Sequence, residues 1–137
     1  MRVKKISLVI PCFNEAKTIE EFHMRAVALA DCQPHRQFEF IYVDDGSTDM
    51  TATILNGFAA SDACVKVVHL AQNRGHQVAL SAGMDVSGGD MIVTIDSDLQ
   101  DPPDLIVKLI EKIEEGFDIV HARRKHRSGE TIFKIVT

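Results

Sequence analysis

The chain of 137 residues has no apolar run approaching the eighteen or so residues of a membrane-spanning helix. Its three cysteines, Cys12, Cys32 and Cys64, form no C-x-x-C pair and have no spacing typical of a zinc site, and their odd number does not suggest a disulfide framework. These absences argue against a membrane span within these residues, a redox motif and a disulfide-rich domain. A reducing, cytoplasmic setting fits the cysteine usage best.

Two common nucleotide-binding motifs are also missing. No G-x-G-x-x-G follows the first apolar run, which disfavours a dinucleotide-binding Rossmann domain, and no P-loop is present. Because 15 lysines and arginines face 20 aspartates and glutamates, the net charge is -5, which argues against nucleic-acid binding. The length and the absence of repeats or low-complexity linkers indicate one domain covering residues 1–137.

What the chain does contain is a regular alternation of strand-like and helix-like segments. Apolar or β-branched runs typical of strands occupy residues 6–10, 38–43, 65–70, 91–95 and 117–122. Patterns typical of helices lie at residues 18–30, from the turn at residues 44–47 to about residue 60, at 77–86 and at 102–115. This order predicts an α/β fold, an open, mostly parallel, twisted sheet with helices on both faces. Residues 130–137 are interpreted as the start of a further helix, so we expect the domain to be truncated there.

In such a sheet, ligands bind beyond the carboxyl ends of the strands. Polar side chains follow each predicted strand, and we expect them to converge on that edge. They are Asn14 and Glu15 after the first strand, Asp44 and Asp45 after the second, Asn73 and Arg74 after the third, Asp96, Asp98 and Gln100 after the fourth, and the basic residues Arg123, Arg124, Lys125 and Arg127 after the fifth.

The group after the fourth strand is the strongest local signal. Asp96 and Asp98 are two positions apart, which puts both carboxylates on one face if the strand continues. Like charges held together are unfavourable unless a cation relieves them, and Mg²⁺ and Mn²⁺ prefer oxygen ligands. We therefore predict a metal bound by Asp96 and Asp98, with Gln100 as a neutral oxygen ligand. The alternative is a capped turn before the next helix with Asp101 as the cap, and we favour this interpretation for Asp101 and Asp104.

The groups after the first two strands are less specific. Asp44 and Asp45 are suited to accept hydrogen bonds from a base N–H or from ribose hydroxyls, whereas residues 47–49 are better interpreted as caps of the next helix. Asn14 and Glu15 are also consistent with a helix N-terminus, with Asn14 as the cap and Glu15 as a favourable first-turn charge.

The basic cluster at residues 123–127 suits an anionic partner. Arginine binds phosphate oxygens with two parallel hydrogen bonds, and anionic lipid attracts a basic residue by about 1 kcal/mol near the membrane surface. We predict contact with phosphate or lipid phosphate, through Arg124 and Arg127, and the alternative is a solvated loop. His76 and His121 are interpreted as structural, and the cysteines as inert.

Four motifs in this order resemble the family 2 glycosyltransferases of the GT-A fold. They are Ile-Pro-Cys-Phe-Asn-Glu at residues 10–15, Val-Asp-Asp-Gly-Ser-Thr-Asp at 43–49, Asn-Arg-Gly at 73–75 and Asp-Ser-Asp-Leu-Gln-Asp-Pro-Pro at 96–103. The resemblance is greatest to the branch with polyprenyl-phosphate acceptors, such as dolichol-phosphate mannosyltransferases and undecaprenyl-phosphate glycosyltransferases. It implies an inverting, metal-dependent transfer of a sugar from a nucleoside diphosphate, with UDP favoured, to a polyprenyl phosphate or a saccharide.

The resemblance also implies roles for individual residues. The donor nucleotide would be held by Pro11, Asn14, Glu15, Asp44, Asp45, Arg74 and Arg124, and the metal by Asp96, Asp98 and Gln100, with Asp98 as the catalytic residue. A lipid-phosphate acceptor implies contact with the cytoplasmic face of a membrane. Members of the family continue well beyond this length, so we expect the acceptor-binding elements to lie outside the chain, and donor binding to survive in it where transfer does not.

Two other functions remain open at this stage. A phosphohydrolase of the haloacid dehalogenase type also uses D-x-D, but that family places the pair after the first strand, whereas here it follows the fourth. A non-catalytic module that binds a nucleotide sugar without turnover has the same visible motifs, and only an assay separates it from an enzyme.

Overall fold

The computed structural model describes the backbone of residues 5–127 and 130–136 and the side-chain surroundings of residues 5–122. The strands are β1 (Lys5–Cys12), β2 (Gln37–Asp44), β3 (Val65–His69), β4 (Met91–Thr94), β5 (His121–Arg127) and β6 (Glu130–Val136). The helices are α1 (Ile19–Asp31), α2 (Thr51–Ser61), α3 (His76–Asp85) and α4 (Leu105–Glu114). Within these ranges no helix has both the length and the apolar character needed to cross a membrane.

The first four strands form one parallel sheet in the order β3-β2-β1-β4. Lys5 of β1 is in register with Gln37 of β2, and Ile6 of β1 is in register with Met91 of β4. The two central strands are buried along almost their whole length. Their burial on both faces explains why β1 and β2 are continuous apolar runs rather than alternating ones.

Helices cover both faces of this sheet. On one face, Phe22 of α1, Leu55 of α2 and Ile106 of α4 pack in one cluster with side chains of β1 and β2. On the other face, Ala79 of α3 packs in a smaller cluster with Val9 and its neighbours. The predicted α/β fold, with a parallel sheet and helices on both faces, is therefore confirmed.

Gly83 allows α3 to lie very close to the sheet. A Cβ atom at Gly83 would collide with Cγ1 of Val9 and would lie 3.0 Å from Cγ2 of Val43. Val9 and Val43 belong to the neighbouring strands β1 and β2, so the two central strands together set the position of α3.

A buried carboxylate lies at the amino end of the sheet. Glu39 is 4% exposed, and its Oε1 accepts hydrogen bonds from the Ser7 hydroxyl at 2.5 Å and from the Gly88 N–H at 2.6 Å. Its Oε2 lies 3.1 Å from the Nζ atoms of both Lys5 and Lys66. Burial alone would raise the pKa of Glu39, but these partners outweigh burial and lower the pKa to about 2.

The sequence prediction is wrong about the last part of the chain. A fifth strand of the main sheet is predicted at residues 117–122, whereas β5 pairs antiparallel with β6 in a separate two-stranded sheet. A strand as basic as β5 would bring several charges into the interior of a parallel sheet, which is unfavourable. Residues 130–137, interpreted above as a helix, form β6 over Glu130–Val136 because their β-branched and aromatic residues favour a strand.

Candidate functional site

A cavity of about 330 Å³ opens at the carboxyl ends of β1 and β4. The strand order changes direction here, because β2 lies on one side of β1 and β4 on the other, and α/β sheets bind ligands at such points. Residues that follow each of the four strands line it, namely Glu15 after β1, Asp45 after β2, Asn73 after β3, and Asp96 and Asp98 after β4. At least one polar residue after each of these four strands therefore lines the same cavity, as the sequence predicts, whereas the side chains of the basic cluster at residues 123–127 lie outside the described residues.

A second cavity, of about 390 Å³, lies between β4 and α4. Its lining is mostly aliphatic, with side chains such as Ile92, Leu105 and Ile113. Its two carboxylates are Asp101 and Asp118, whereas Glu15, Asp45, Asp96 and Asp98 are not part of this lining. Ligand sites combine apolar walls with a few convergent polar groups. We therefore assign the candidate site to the cavity between the ends of β1 and β4, which is called the switch-point cavity below.

The predicted site residues divide into two groups. Pro11, Glu15, Asp45, Asp96 and Asp98 line the switch-point cavity. Asn14, Asp44, Arg74 and Gln100 are not among the described residues that line it, and the side chain of Arg124 lies outside the described residues. When the side-chain amide of Gln72 has its oxygen towards Arg74, that oxygen accepts a hydrogen bond from the Arg74 guanidinium at 2.9 Å. The binding roles of all these residues stay predictions.

The segment after β4 continues the line of the strand into the cavity. The Ile95 N–H donates to the carbonyl oxygen of Val9 at 3.2 Å, which extends the pairing with β1 by one residue. The Thr18 hydroxyl donates to the carbonyl oxygen of Ser97 at 3.1 Å. These two bonds hold the backbone on either side of Asp96.

Asp96 and Asp98 differ in their surroundings. Asp96 is exposed, whereas Asp98 is half-buried and its Oδ1 accepts a hydrogen bond from the Gln100 N–H at 3.0 Å. This bond closes an aspartate turn in which Leu99 has a positive φ of 64°. The turn lies directly after the two cavity-lining carboxylates. Further along, Asp104 occupies the N-cap position of α4, and its side chain makes no capping hydrogen bond.

The carboxylate pair suits a hard divalent cation that is shared with a ligand. Among the described residues, no group of three or more His, Cys, Asp or Glu side chains is arranged to hold a metal ion. Asp96 and Asp98 together supply two carboxylates to one cavity. Mg²⁺ is commonly bound through one or two carboxylates plus water and phosphate oxygens, so this donor set fits such an ion.

Asn14 ties the loop after β1 to the loop after β2. Its Oδ1 accepts a hydrogen bond from the Thr48 N–H at 2.8 Å, and its own N–H donates to Oγ of Ser47 at 3.0 Å. Asn14 has a φ of 52°, a conformation that asparagine tolerates better than most residues. The alternative interpretation of Asn14 as the cap of α1 is wrong, because that helix begins at Ile19.

Asp44 and Asp45 face different surroundings, as expected of successive residues at a strand end. Asp44 is buried, accepts a hydrogen bond from the Ser47 N–H at 3.0 Å and lies 2.9 Å from Nδ1 of His69. Burial raises the pKa of Asp44, but the bonds with Ser47 and His69 outweigh it and hold the pKa below its usual range. Asp44 therefore links the ends of β2 and β3 as a charged group, and of the pair it is Asp45 that lines the cavity.

Asp45 fastens the loop after β2 to the beginning of α3. It is 5% exposed, and its Oδ1 and Oδ2 accept hydrogen bonds from the N–H groups of Arg74 at 2.7 Å and of Gly75 at 3.1 Å. The two loops are in close contact, since a Cβ atom on Gly46 would lie 2.5 Å from the backbone nitrogen of Asn73. The carboxylate of Asp45 is thus already engaged by the protein on both oxygens.

Two buried groups line the cavity beside Asp96 and Asp98. Burial raises the pKa of the Cys12 thiol to about 12, so the thiol is neutral at physiological pH, which fits the inert role predicted for it. Ser97 is 1% exposed, and its hydroxyl has no nitrogen or oxygen partner among the described residues, although it contacts the Cys12 thiol.

The sequence analysis missed His76. This residue is exposed, is the first residue of α3 and lines the switch-point cavity, whereas the sequence interpretation treats it as structural. Asn73, named in the sequence analysis among the polar residues after the third strand, also lines the cavity. The strand-end rule therefore selects Asn73 from the sequence, whereas His76, at the beginning of the next helix, lies beyond the residues to which that rule was applied.

Comparison with known proteins places the chain in a family. Residues 7–136 match the family described as Glycosyl transferase family 2, and the chain belongs to it. It is 44% identical over 128 residues to an uncharacterized glycosyltransferase of Bacillus subtilis, YkcC, covering 93% of this chain and 39% of that protein. It is 42% identical over 126 residues to the bactoprenol glucosyl transferase of Shigella phage SfX, covering 92% of this chain and 41% of the relative.

A further relative is the undecaprenyl-phosphate 4-deoxy-4-formamido-L-arabinose transferase of Klebsiella pneumoniae, 40% identical over 133 residues, with 96% of this chain and 40% of the relative covered. The chain thus spans about two fifths of the length of the curated relatives it matches.

The fold is that of the GT-A glycosyltransferases, as the sequence predicts. The chain superposes on glucosyl-3-phosphoglycerate synthase from Mycobacterium tuberculosis, solved in complex with Mn²⁺, UDP and glucosyl-3-phosphoglycerate, with a TM-score of 0.64. The two proteins are 30% identical, and the match covers 80% of this chain and 39% of the synthase.

Proposed function

We propose that this chain is the donor-binding part of a metal-dependent, inverting glycosyltransferase that moves a sugar from a nucleoside diphosphate, with UDP favoured, to a polyprenyl phosphate. The observation that carries the proposal is the switch-point cavity, in which Glu15, Asp45, Asp96 and Asp98 meet at the carboxyl ends of the strands. The bactoprenol and undecaprenyl-phosphate transferases among the relatives support the acceptor class. The UDP and Mn²⁺ bound to the mycobacterial synthase support the donor and the metal.

In this proposal Asp96 and Asp98 hold a divalent cation, Mg²⁺ or Mn²⁺, with Gln100 as a further oxygen ligand. When bound, the cation neutralises the negative charge that develops on the departing nucleoside diphosphate. Asp98 is the carboxylate on which transfer depends most, because the Gln100 N–H restrains one of its oxygens and it lies half-buried in the cavity wall.

The nucleoside is held at the other side of the cavity, by Pro11, Glu15 and Asp45. The carboxylate of Asp45 accepts hydrogen bonds from two backbone N–H groups, and a carboxylate has about four lone-pair sites, which leaves capacity for a base N–H or a ribose hydroxyl. Asn14 and Asp44 act by holding the loops in place. Arg74 and Arg124 are further proposed phosphate contacts.

The acceptor chemistry requires little from the protein. A lipid phosphate is anionic at neutral pH, so no strong general base is needed, and catalysis rests on positioning and on stabilising the leaving group. The basic side chains of β5 are proposed to attract that phosphate at the membrane surface. A saccharide acceptor would instead need a general base.

Calorimetric titration of the chain with UDP and with GDP, each with and without Mn²⁺, tests the proposal. We expect metal-dependent binding that Asp98→Ala weakens at least tenfold, about 1.4 kcal/mol. Asp104→Ala is the matched control, because it removes one exposed carboxylate from the next segment of the chain, outside the cavity lining. Equal binding by wild type and Asp98→Ala would exclude the metal site.

A module that binds a nucleotide sugar without turnover is the alternative function, because the same cavity-lining carboxylates would serve binding alone. Incubation of the chain with UDP-glucose, Mn²⁺ and undecaprenyl phosphate separates the two. Formation of glucosyl lipid supports the enzyme, whereas binding of UDP-glucose without release of UDP supports the module.

A further inference from the structure

The walls of the switch-point cavity are predominantly acidic. Four carboxylates line it, from Glu15, Asp45, Asp96 and Asp98, and His76 is the only His, Lys or Arg among the described residues of its lining. A cation held by two carboxylates balances the charge of those two groups but not the charges of a diphosphate. The diphosphate therefore needs hydrogen-bond donors from the protein, and His76 is a side chain in position to supply one.

His76 stands where an anion is favoured. It is the first residue of α3, a helix of ten residues whose N-cap is Gly75, with a φ of 94° and no side-chain capping bond. The first-turn N–H groups of a helix and its dipole both favour negative charge at this end. The Gly75 N–H itself donates to Asp45 and is therefore already engaged by the protein.

A second feature of the cavity points independently to a polar ligand. The Ser97 hydroxyl is 1% exposed, lines the same cavity between Asp96 and Asp98, and has no nitrogen or oxygen partner among the described residues. Its contact is the Cys12 thiol, and a thiol is a weak hydrogen-bonding partner. Buried polar groups are normally satisfied by stronger partners than a thiol, so the Ser97 hydroxyl favours an oxygen-rich ligand in this cavity.

The position of His76 relative to the acidic pair is fixed by the fold. Asp45 holds the backbone directly before His76, and Gly83 seats the same helix against β1 and β2. Asp96 and Asp98 follow β4, which pairs with β1. The helix that carries His76 and the segment that carries Asp96 and Asp98 are thus both packed against β1. The site is therefore largely preorganised before a ligand binds.

We propose that an imidazole N–H of His76 donates a hydrogen bond to the β-phosphate of the donor in the cavity that it shares with Asp96 and Asp98, so that His76 is a further diphosphate-binding residue. This assignment rests on the proposed function, because it presupposes a nucleoside diphosphate in the cavity. It adds a contact from α3 to those predicted from the motifs.

The test compares UDP with UMP, each with Mn²⁺, by calorimetry on wild type, His76→Ala, His76→Gln and His35→Ala. We expect His76→Ala to weaken UDP at least fivefold and UMP less than twofold, because UMP lacks the β-phosphate. His76→Gln, which retains an N–H donor, is expected to recover most of the loss. His35 is an exposed histidine in the segment before β2, so His35→Ala should bind as wild type does.

The outcomes separate this inference from the proposed function. If wild type binds neither UDP nor GDP with Mn²⁺, both are overturned. If wild type binds UDP and Asp98→Ala weakens it, while His76→Ala binds UDP and UMP as wild type does, only the role of His76 is overturned. Equal weakening of UDP and UMP by His76→Ala also overturns it.

A measurement on the wild-type chain covers the case in which His76→Ala fails to fold. Inorganic pyrophosphate with Mg²⁺ is added to ¹⁵N-labelled protein, and the ring resonances of His76 are followed by NMR. A shift of these resonances that His35 does not share supports the contact. Shifts of the backbone amides at residues 96–98 without any change at the His76 ring overturn it.

Discussion

The Gly75 N–H donates a hydrogen bond to Oδ2 of Asp45 at 3.1 Å, and this bond joins the end of β2 to the beginning of α3. The other carboxylate oxygen accepts the preceding N–H, from Arg74, at 2.7 Å. A single buried side chain thereby sets the course of the loop that leads into the cavity-lining residue His76. Asp45 therefore both lines the cavity and anchors the loop before α3.

Asp45→Ala is expected to destabilise the chain by about 2–3 kcal/mol, because it removes two charge-assisted hydrogen bonds and leaves two backbone N–H groups without their acceptor. Asp45→Asn keeps one acceptor oxygen and should lose about half as much. Urea unfolding followed by circular dichroism measures both variants, with Asp104→Ala as an exposed control that should stay within about 0.5 kcal/mol of wild type. A stability of Asp45→Ala equal to that of the control would contradict the anchoring role.

The sequence was sufficient to predict β1, β2 and the edge at which the site forms. Continuous apolar runs identify buried parallel strands, and the rule that ligands bind at strand carboxyl ends then selects Glu15, Asp96 and Asp98 without coordinates. The sequence could not decide whether Asp44 or Asp45 lines the cavity. Which of two adjacent carboxylates faces the cavity depends on the phase of the strand pleat, and both residues satisfy the same pattern.

Two features of the structure could not be predicted from the sequence, because they depend on contacts between segments that are distant in the chain. β5 and β6 pair with each other, and that pairing depends on contacts between segments rather than on the periodicity of either one. A histidine at the beginning of a helix looks the same in sequence whether the loop before it folds towards the cavity or away from it. The hydrogen bonds between Asp45 and the loop at Arg74 and Gly75 decide this for His76, and they join residues about thirty positions apart.

Stability should fall in acid through Glu39. Its pKa in the folded chain is about 2, below the ordinary value of 4.5, so its contribution is complete above about pH 4.5 and is lost as the pH falls towards 2. We expect Glu39→Gln to remove about 2 kcal/mol at pH 7, a figure reduced because Lys5 and Lys66 are partly exposed to screening solvent. Urea unfolding at pH 7, 4 and 3 should show the two proteins converging in stability as the pH falls. A constant difference between them would contradict the assignment.

A second pH dependence is expected nearer neutrality, at His23. Its ring stacks on Phe58 with centroids 4.1 Å apart, and its Nδ1 lies 2.6 Å from the hydroxyl oxygen of Tyr42. Burial lowers the pKa of His23 below 6.5 against the opposing charge of Asp62, so its contribution is complete above about pH 6.5 and is lost as the pH falls below it. Melting temperatures at pH 7.5 and 5.5 should differ less in His23→Phe than in wild type. A larger acid shift in the variant would count against a neutral, half-buried ring.

The substitutions Gly83→Ala and Gly57→Ala form a matched pair, which tests whether the close packing of α3 on the sheet shapes the cavity. Alanine in a helix interior normally stabilises by about 0.5–1 kcal/mol relative to glycine, and Gly57→Ala in α2 should do so, because a Cβ there meets nothing within 4 Å. Gly83→Ala should instead destabilise by about 1–2 kcal/mol, since its Cβ collides with Val9 and forces α3 away from the sheet. Because α3 carries His76 into the cavity, Gly83→Ala should also weaken UDP binding with Mn²⁺ in calorimetry while Gly57→Ala leaves it unchanged. Unaltered UDP affinity in a destabilised Gly83→Ala chain would show that the packing of α3 on β1 and β2 stabilises the fold without positioning the site.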